Sequence, residues 1–186
     1  MQSKYAEYDL NTSLQRVEQI LSADTSDYKE RATIPAKGAI KDGDGYYVDI
    51  GALFIDIRGS SDLTKYHKRP TLAKLYRAFI SETIAILRSN KKCKELNIHG
   101  DCVWGVFEGI DKKSICDMFG TSVQLNTFIT ELNDKFERHN IHPIEVGIGL
   151  DSGRALLVKA GLQGSGVTEL IWMGDVVNRA CHLAGK

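Results

Sequence analysis

Two aspartates, one inside an apolar strand and one at a Gly-Asp turn, define the chemistry open to this chain. Asp56 lies inside Leu53-Phe-Ile-Asp56-Ile-Arg-Gly59-Ser-Ser61, an apolar strand that runs into a small-residue turn. Asp101 follows Gly100 at the centre of Leu96-Asn-Ile-His-Gly100-Asp101-Cys-Val-Trp-Gly-Val-Phe107. A carboxylate flanked by Phe54, Ile55 and Ile57 is costly if buried and unpaired, so it needs compensation. A divalent cation supplies it; a helix-capping role or one half of a buried ion pair does so equally well. Gly59-Ser60-Ser61 reads as the opening of a helix, where free backbone N–H groups attract phosphate. Metal and phosphate chemistry therefore converge on one point.

The elements that must position these residues follow from periodicity. Pro70 opens a helix whose Leu72, Leu75, Tyr76, Phe79, Thr83, Ile86 and Leu87 recur at helical spacing and form a core stripe. Residues 96–107 read as two short strands around the Gly-Asp turn. Ile115, Met118, Phe119, Leu125, Phe128, Ile129, Leu132 and Phe136 mark a second long helix, interrupted or loosened near Gly120. Residues 144–150 alternate as a strand, turn at Asp151-Ser152-Gly153, and return through residues 154–160. The order over residues 48–150 is β-α-β-β-α-β, which predicts an α+β fold with a ferredoxin-like core. In that topology the end of the first strand lies beside the hairpin joining the second and third. Asp56 and Asp101 can then share a two-metal site, which needs ions roughly 3.5 to 4 Å apart.

Composition narrows the function classes. Lys plus Arg and Asp plus Glu number 24 each, so no net field favours nucleic acid or an acidic membrane. There is no apolar run long enough to cross a bilayer and no signal-peptide pattern, which predicts a soluble cytoplasmic protein. Cys93, Cys102, Cys116 and Cys181 form no CxxC pair and are expected to be reduced packing residues. Residues 1–45 read as an N-terminal arm with a short helix carrying Leu14, Val17, Ile20 and Leu21, expected to pack on the domain or on a partner subunit. Residues 46–186 are expected to form the catalytic domain. Gly164-Ser165-Gly166 is a flexible turn and not a nucleophile elbow, and Gly147-Ile-Gly149 is a strand feature with no helix opening after it.

A third segment is Glu169-Leu-Ile-Trp-Met-Gly174-Asp-Val-Val-Asn178-Arg-Ala-Cys-His182-Leu. Its strand ends at Gly174, and the helix that follows places Asn178 and His182 four residues apart on one face. Taken in order, FIDIRGSS, NIHGDCVWGVF and WMGDVVNRACHLA resemble the class III nucleotidyl cyclases over about residues 46 to 186. VGIGLDSGRALLVKAG is similar to the hairpin those domains carry before the third motif.

The resemblance implies that Asp56 and Asp101, with the Ile57 carbonyl, hold two magnesium or manganese ions. It implies further that Gly59, Ser60 and Ser61 hold the polyphosphate and that Asn178 orients the ribose. The family's transition-state Arg falls on His182; Arg179 is adjacent but projects about 100° away on a helix. Where adenylyl cyclases carry Lys and guanylyl cyclases Glu, three residues before Gly100, this chain has Asn97. The partner position three before Gly174 is Ile171, next to Trp172, and these two can narrow a base pocket. Neither purine-reading pair is present.

The phrases FIDIRGSS and WMGDVVNRACHLAGK look more like the bacterial pyrimidine cyclases of the Pycsar anti-phage systems. That implies UTP as substrate, with CTP the alternative, a homodimer with interfacial active sites, and a separate effector switched on by the cyclic nucleotide. Cyclase domains usually continue past this helix to a phosphate-contacting lysine, whereas this sequence stops at Lys186, so the C-terminal part of the domain is expected to be missing. A purine cyclase, a palm-like nucleotidyl transferase and a degenerate nucleotide-sensing or dimerisation module are the rival readings.

Overall fold

Period-two and helical apolar patterns become six strands and five α-helices among the described residues, 4–185, of the computed structural model. Residues 1–3 and 186, the ends of the expected arm and domain, lie outside the described residues. In chain order the elements are α1 (Leu10–Leu21), β1 (Lys29–Arg31), β2 (Gly45–Ile57), α2 (Leu63–Tyr66) and α3 (Arg69–Ser89). After them come β3 (Cys93–His99), β4 (Cys102–Glu108), α4 (Lys112–Arg138), β5 (Val146–Leu162), β6 (Val167–Met173) and α5 (Asp175–Ala184). The chain divides into two compact units: residues up to Val48 with Ala155–Met173, and Asp49–Arg154 with the residues from Gly174 onward.

The second unit carries the ferredoxin-like core, with strand order β3-β4-β2-β5. β2 and β4 pair antiparallel from Ile50↔Glu108 to Ile55↔Val103. Because strand side chains alternate, Leu53, Ile55 and Ile57 of β2 face the same way as Val103 and Phe107 of β4. All five pack against Leu75, Phe79 and Leu87 of α3 and Met118, Leu125, Ile129, Leu132 and Phe136 of α4. Each fully buried aliphatic side chain here contributes about 1.5–3 kcal/mol of hydrophobic stabilisation. Phe54 and Trp104 occupy the opposite sheet face, stacked at 4.8 Å with their rings 2° from parallel.

α5 covers β5 on this second face. A Cβ on Gly147 would lie 1.8 Å from the Ala184 carbonyl oxygen, and one on Gly149 would lie 2.0 Å from that of Ala180. These glycines belong to a strand, as their pattern predicts, and their bare backbone lets a helix rest directly on the sheet. Gly149→Ala forces α5 upward and is expected to destabilise the protein by about 1–3 kcal/mol or more. A lowered urea midpoint with an unchanged slope checks this.

Two expectations are corrected. α4 runs unbroken through Gly120, because the buried series Ser114, Met118, Thr121, Ser122, Leu125 continues across it. A helical glycine costs only about 1 kcal/mol, which that packing outweighs. β5 is one continuous strand of 17 residues with no turn at Asp151-Ser152-Gly153. Gly153 lacks the positive φ a tight turn would use, and the Asp151 carboxylate accepts from Arg179 Nε at 2.7 Å. Tertiary pairing has taken the polar groups that sequence alone assigns to a turn.

In the first unit β1 pairs parallel with the start of β2, from Lys29↔Tyr46 to Arg31↔Val48. β5 and β6 pair antiparallel from Leu156↔Met173 to Leu162↔Val167. Asp9 caps α1 through Thr12 N at 2.7 Å, yet α1 buries no residue: Leu14, Val17, Ile20 and Leu21 are all exposed. No helix among the described residues is long and apolar enough to cross a membrane.

Candidate active site

The carboxylates meet where β2 and β4 separate. The last paired position is Ile55↔Val103, so Asp56 comes level with Cys102 on the face that carries Phe54 and Trp104. Asp101 lies in the turn that closes the β3–β4 hairpin beyond His99↔Cys102. Burial, and then the negative charge of Asp101, push the Asp56 carboxyl above the usual range, while Arg58 opposes them. The Cys102 thiol is pushed up to about 12 by burial first, then by Asp56, Cys181 and Asp101. Negative charge is thus concentrated at one strand end.

This donor set suits a divalent ion. Among the described residues no group of three or more His, Cys, Asp or Glu side chains could hold a metal alone. Magnesium typically takes one or two carboxylates, keeps several waters and binds substrate phosphates with the rest of its sphere. Asp56 and Asp101 supply that minimal set. Ile57 buries its side chain in the core, so only its backbone carbonyl is available as a ligand.

The turn after β2 starts at Gly59, whose φ of 57° is left-handed and costs glycine little. A single 3₁₀ turn, Ser60–Asp62, leads into the four-residue α2. Ser60 lies beside the Tyr76 hydroxyl of α3. Burial and Asp101 raise the Tyr76 hydroxyl pKa, Ser60 opposes them, and Asp56 adds a smaller upward push. Sequence periodicity placed Tyr76 in the core stripe and missed its reach into the site. A polar tip within an apolar stripe, which must find a partner, was the available signal.

Asn97 lies on β3 opposite Trp104 and shares its sheet face. Its Nδ2 donates to Glu95 Oε1 at 3.2 Å. Trp104 Nε1 donates to His99 Nδ1 at 3.4 Å. Ile171 and Trp172 belong to the first unit, where Ile171 is exposed opposite Val158 and Trp172 is buried opposite Leu157.

α5 buries Val176, Ala180 and Ala184. At about 100° per residue, Asn178 and His182 lie on the opposite side of the helix, and both are exposed. With Arg179 and Leu183 they line an open depression. Arg179 is held in an ion pair with Asp151 at 2.7 Å. All four cysteines are free thiols, but Cys116 and Cys181 are exposed, which corrects the expectation that they are packing residues.

Residues 44–185 match the Adenylate and Guanylate cyclase catalytic domain. The chain belongs to that family. A protein named uridylate cyclase from Gulbenkiania mobilis is 41% identical over 192 residues, covering 100% of this chain and 74% of that protein. A second uridylate cyclase, from Treponema porcinum, is 35% identical over 179 residues and covers 96% of this chain; the chain spans only 62% of that relative. The crystal structure of the adenylyl cyclase CyaB from P. aeruginosa superposes with a TM-score of 0.69 at 20% identity, covering 75% of this chain and 72% of that one. It shares the fold.

Within this cyclase domain, the fold brings Asp56, Asp101, the Gly59–Ser61 turn and Asn97 into the second unit, together with α5. Asn178 and His182 share that unit but project from the solvent side of their helix.

Proposed function

We propose that this protein is a uridylate cyclase, converting UTP to 3′,5′-cyclic UMP and pyrophosphate as a homodimer. The observation that carries the reading is the electrostatic coupling of Asp56, on the sheet face that also presents Asn97, with Asp101 in the adjoining hairpin turn. Two relatives named uridylate cyclase favour uracil among the bases. Asn97 suits a pyrimidine of either kind, since its amide has both a donor and an acceptor for the base edge. A cytidylate cyclase is the second reading, because the reversed amide suits cytosine.

In this reading Asp56, Asp101 and the Ile57 carbonyl hold divalent magnesium or manganese. Such ions lower the pKa of the ribose 3′-hydroxyl and stabilise charge on the phosphates during attack at the α-phosphorus. Backbone N–H groups of Gly59, Ser60 and Ser61 and the two serine hydroxyls bind the triphosphate, with Tyr76 close to Ser60. Asn178 of a second subunit orients the ribose, and His182 and Arg179 bring positive or hydrogen-bonding groups towards the transition state. The 3′-hydroxyl loses its proton to solvent, and its oxygen forms the new bond to the α-phosphorus as the bond to pyrophosphate breaks, so no covalent protein nucleophile is needed. The cyclic nucleotide acts as a cytoplasmic messenger for a separate effector in anti-phage defence, as the resemblance to Pycsar cyclases implies.

Incubation with each of the four ribonucleoside triphosphates and manganese, followed by product identification, tests the reading. Cyclic UMP is the expected main product; a clear preference for ATP or GTP would overturn the base assignment. Asn97→Ala is expected to reduce UTP turnover roughly 5- to 150-fold, the effect of leaving the polar edge of the base without its partner. Manganese affinity, measured by calorimetry, should change little.

A further inference from the structure

We infer that Glu95 locks the Asn97 amide in one of its two orientations and thereby sets the choice between uracil and cytosine. The inference rests on the pyrimidine reading of this site. Glu95, Asn97 and His99 alternate along β3 onto one sheet face, in register with Val106, Trp104 and Cys102 of β4. Asn97 Nδ2 donates to Glu95 Oε1 at 3.2 Å, and both residues are half-buried. The wall opposite Asn97 is fixed, because Trp104 is stacked on Phe54 and bonded to His99.

An ionised carboxylate only accepts hydrogen bonds. Asn97 must therefore turn its NH₂ towards Glu95, which fixes the side on which Oδ1 emerges. An asparagine without such a neighbour flips and offers donor and acceptor in either order. The order decides which base fits. Read from position 4 to position 3, uracil presents an acceptor and then a donor, whereas cytosine presents a donor and then an acceptor. A base seated in one pose makes two hydrogen bonds to the locked amide, while its counterpart meets acceptor with acceptor and donor with donor. Unpaired polar groups of this kind are what allow a site to reject a close analogue. Glu95 does not touch the base; it is a positioning residue acting through Asn97.

The test compares kcat/KM for UTP and CTP in the full chain with manganese. Glu95→Gln satisfies Asn97 in either orientation, since a glutamine amide both donates and accepts. The UTP:CTP ratio is expected to collapse by about tenfold or more, with ATP and GTP rejected as before. Glu95→Lys presents donors only, so it turns Oδ1 towards itself, and the preference is expected to shift further towards CTP. A preference for CTP in the unsubstituted protein, lost in Glu95→Gln and reversed in Glu95→Lys, supports the lock equally. Ratios within about twofold of the unsubstituted protein in both variants, or a rise for all four bases together, would overturn it. Those results leave the uridylate cyclase reading standing. Purine preference in the unsubstituted protein sinks that reading and the inference with it.

Discussion

Asp56→Ala and Asp101→Ala are each expected to fold normally and to lose cyclase activity by at least about 10³-fold, the scale of a single preorganised electrostatic contact at a reacting centre. Burial first, and then the charge of Asp101, raise the Asp56 carboxyl pKa in the absence of cations, so removing one carboxylate relieves strain even as metal binding fails. Stability gives a second readout with a definite sign. A carboxyl whose folded pKa is raised contributes stability below its unfolded value, 3.8, and loses that contribution as pH rises through the folded value. Asp56→Asn should therefore raise the melting temperature of the metal-free protein at pH 7, and the gain should vanish in acid below that value. Manganese should stabilise the unsubstituted chain more than the variant. Undiminished turnover in either alanine variant would remove these carboxylates from the mechanism.

The second large effect is complementation. Asn178 and His182 project from the side of α5 opposite its buried Val176, Ala180 and Ala184. In the proposed homodimer, a site needing both Asn178 and the Asp56–Asp101 pair is completed by a second copy. Asp56→Ala and Asn178→Ala chains are each expected to be inactive alone. Mixed in equal amounts, about half the dimers are heterodimers, and each retains one intact site, so activity should return to about a quarter of the unsubstituted level. Heterodimer formation verified by differential tagging, with activity still at background, would exclude a shared site.

Much of the core was legible because its residues obey two periods. Leu53, Ile55 and Ile57 alternate, Leu75 and Phe79 recur at helical spacing, and together they fixed the βαββαβ order that the sheet adopts. Asp56 was legible because it breaks the apolar pattern. The unbroken β5 was not legible, since Asp-Ser-Gly has turn chemistry and only the distant Arg179 removes Asp151 from that role. Gly147 and Gly149 gave no sign of the helix above them, because close approach is a tertiary fact. Tyr76 and Glu95 were hidden differently. The first was absorbed by an apolar stripe, and the second lies two residues from a position that drew attention for its own sake.

The outward placement of Asn178 has a kinetic corollary. In the proposed homodimer a single chain carries two complementary halves of a site and no whole one, so product formation requires an encounter. Below the dimer dissociation constant, initial rate should grow with the square of chain concentration, then become linear once dimers dominate. Turnover per chain would fall on dilution without any inhibitor, and a modest rise in expression would yield a disproportionate rise in output. The arrangement of one short helix would thereby make the abundance of the protein itself a control on its signal.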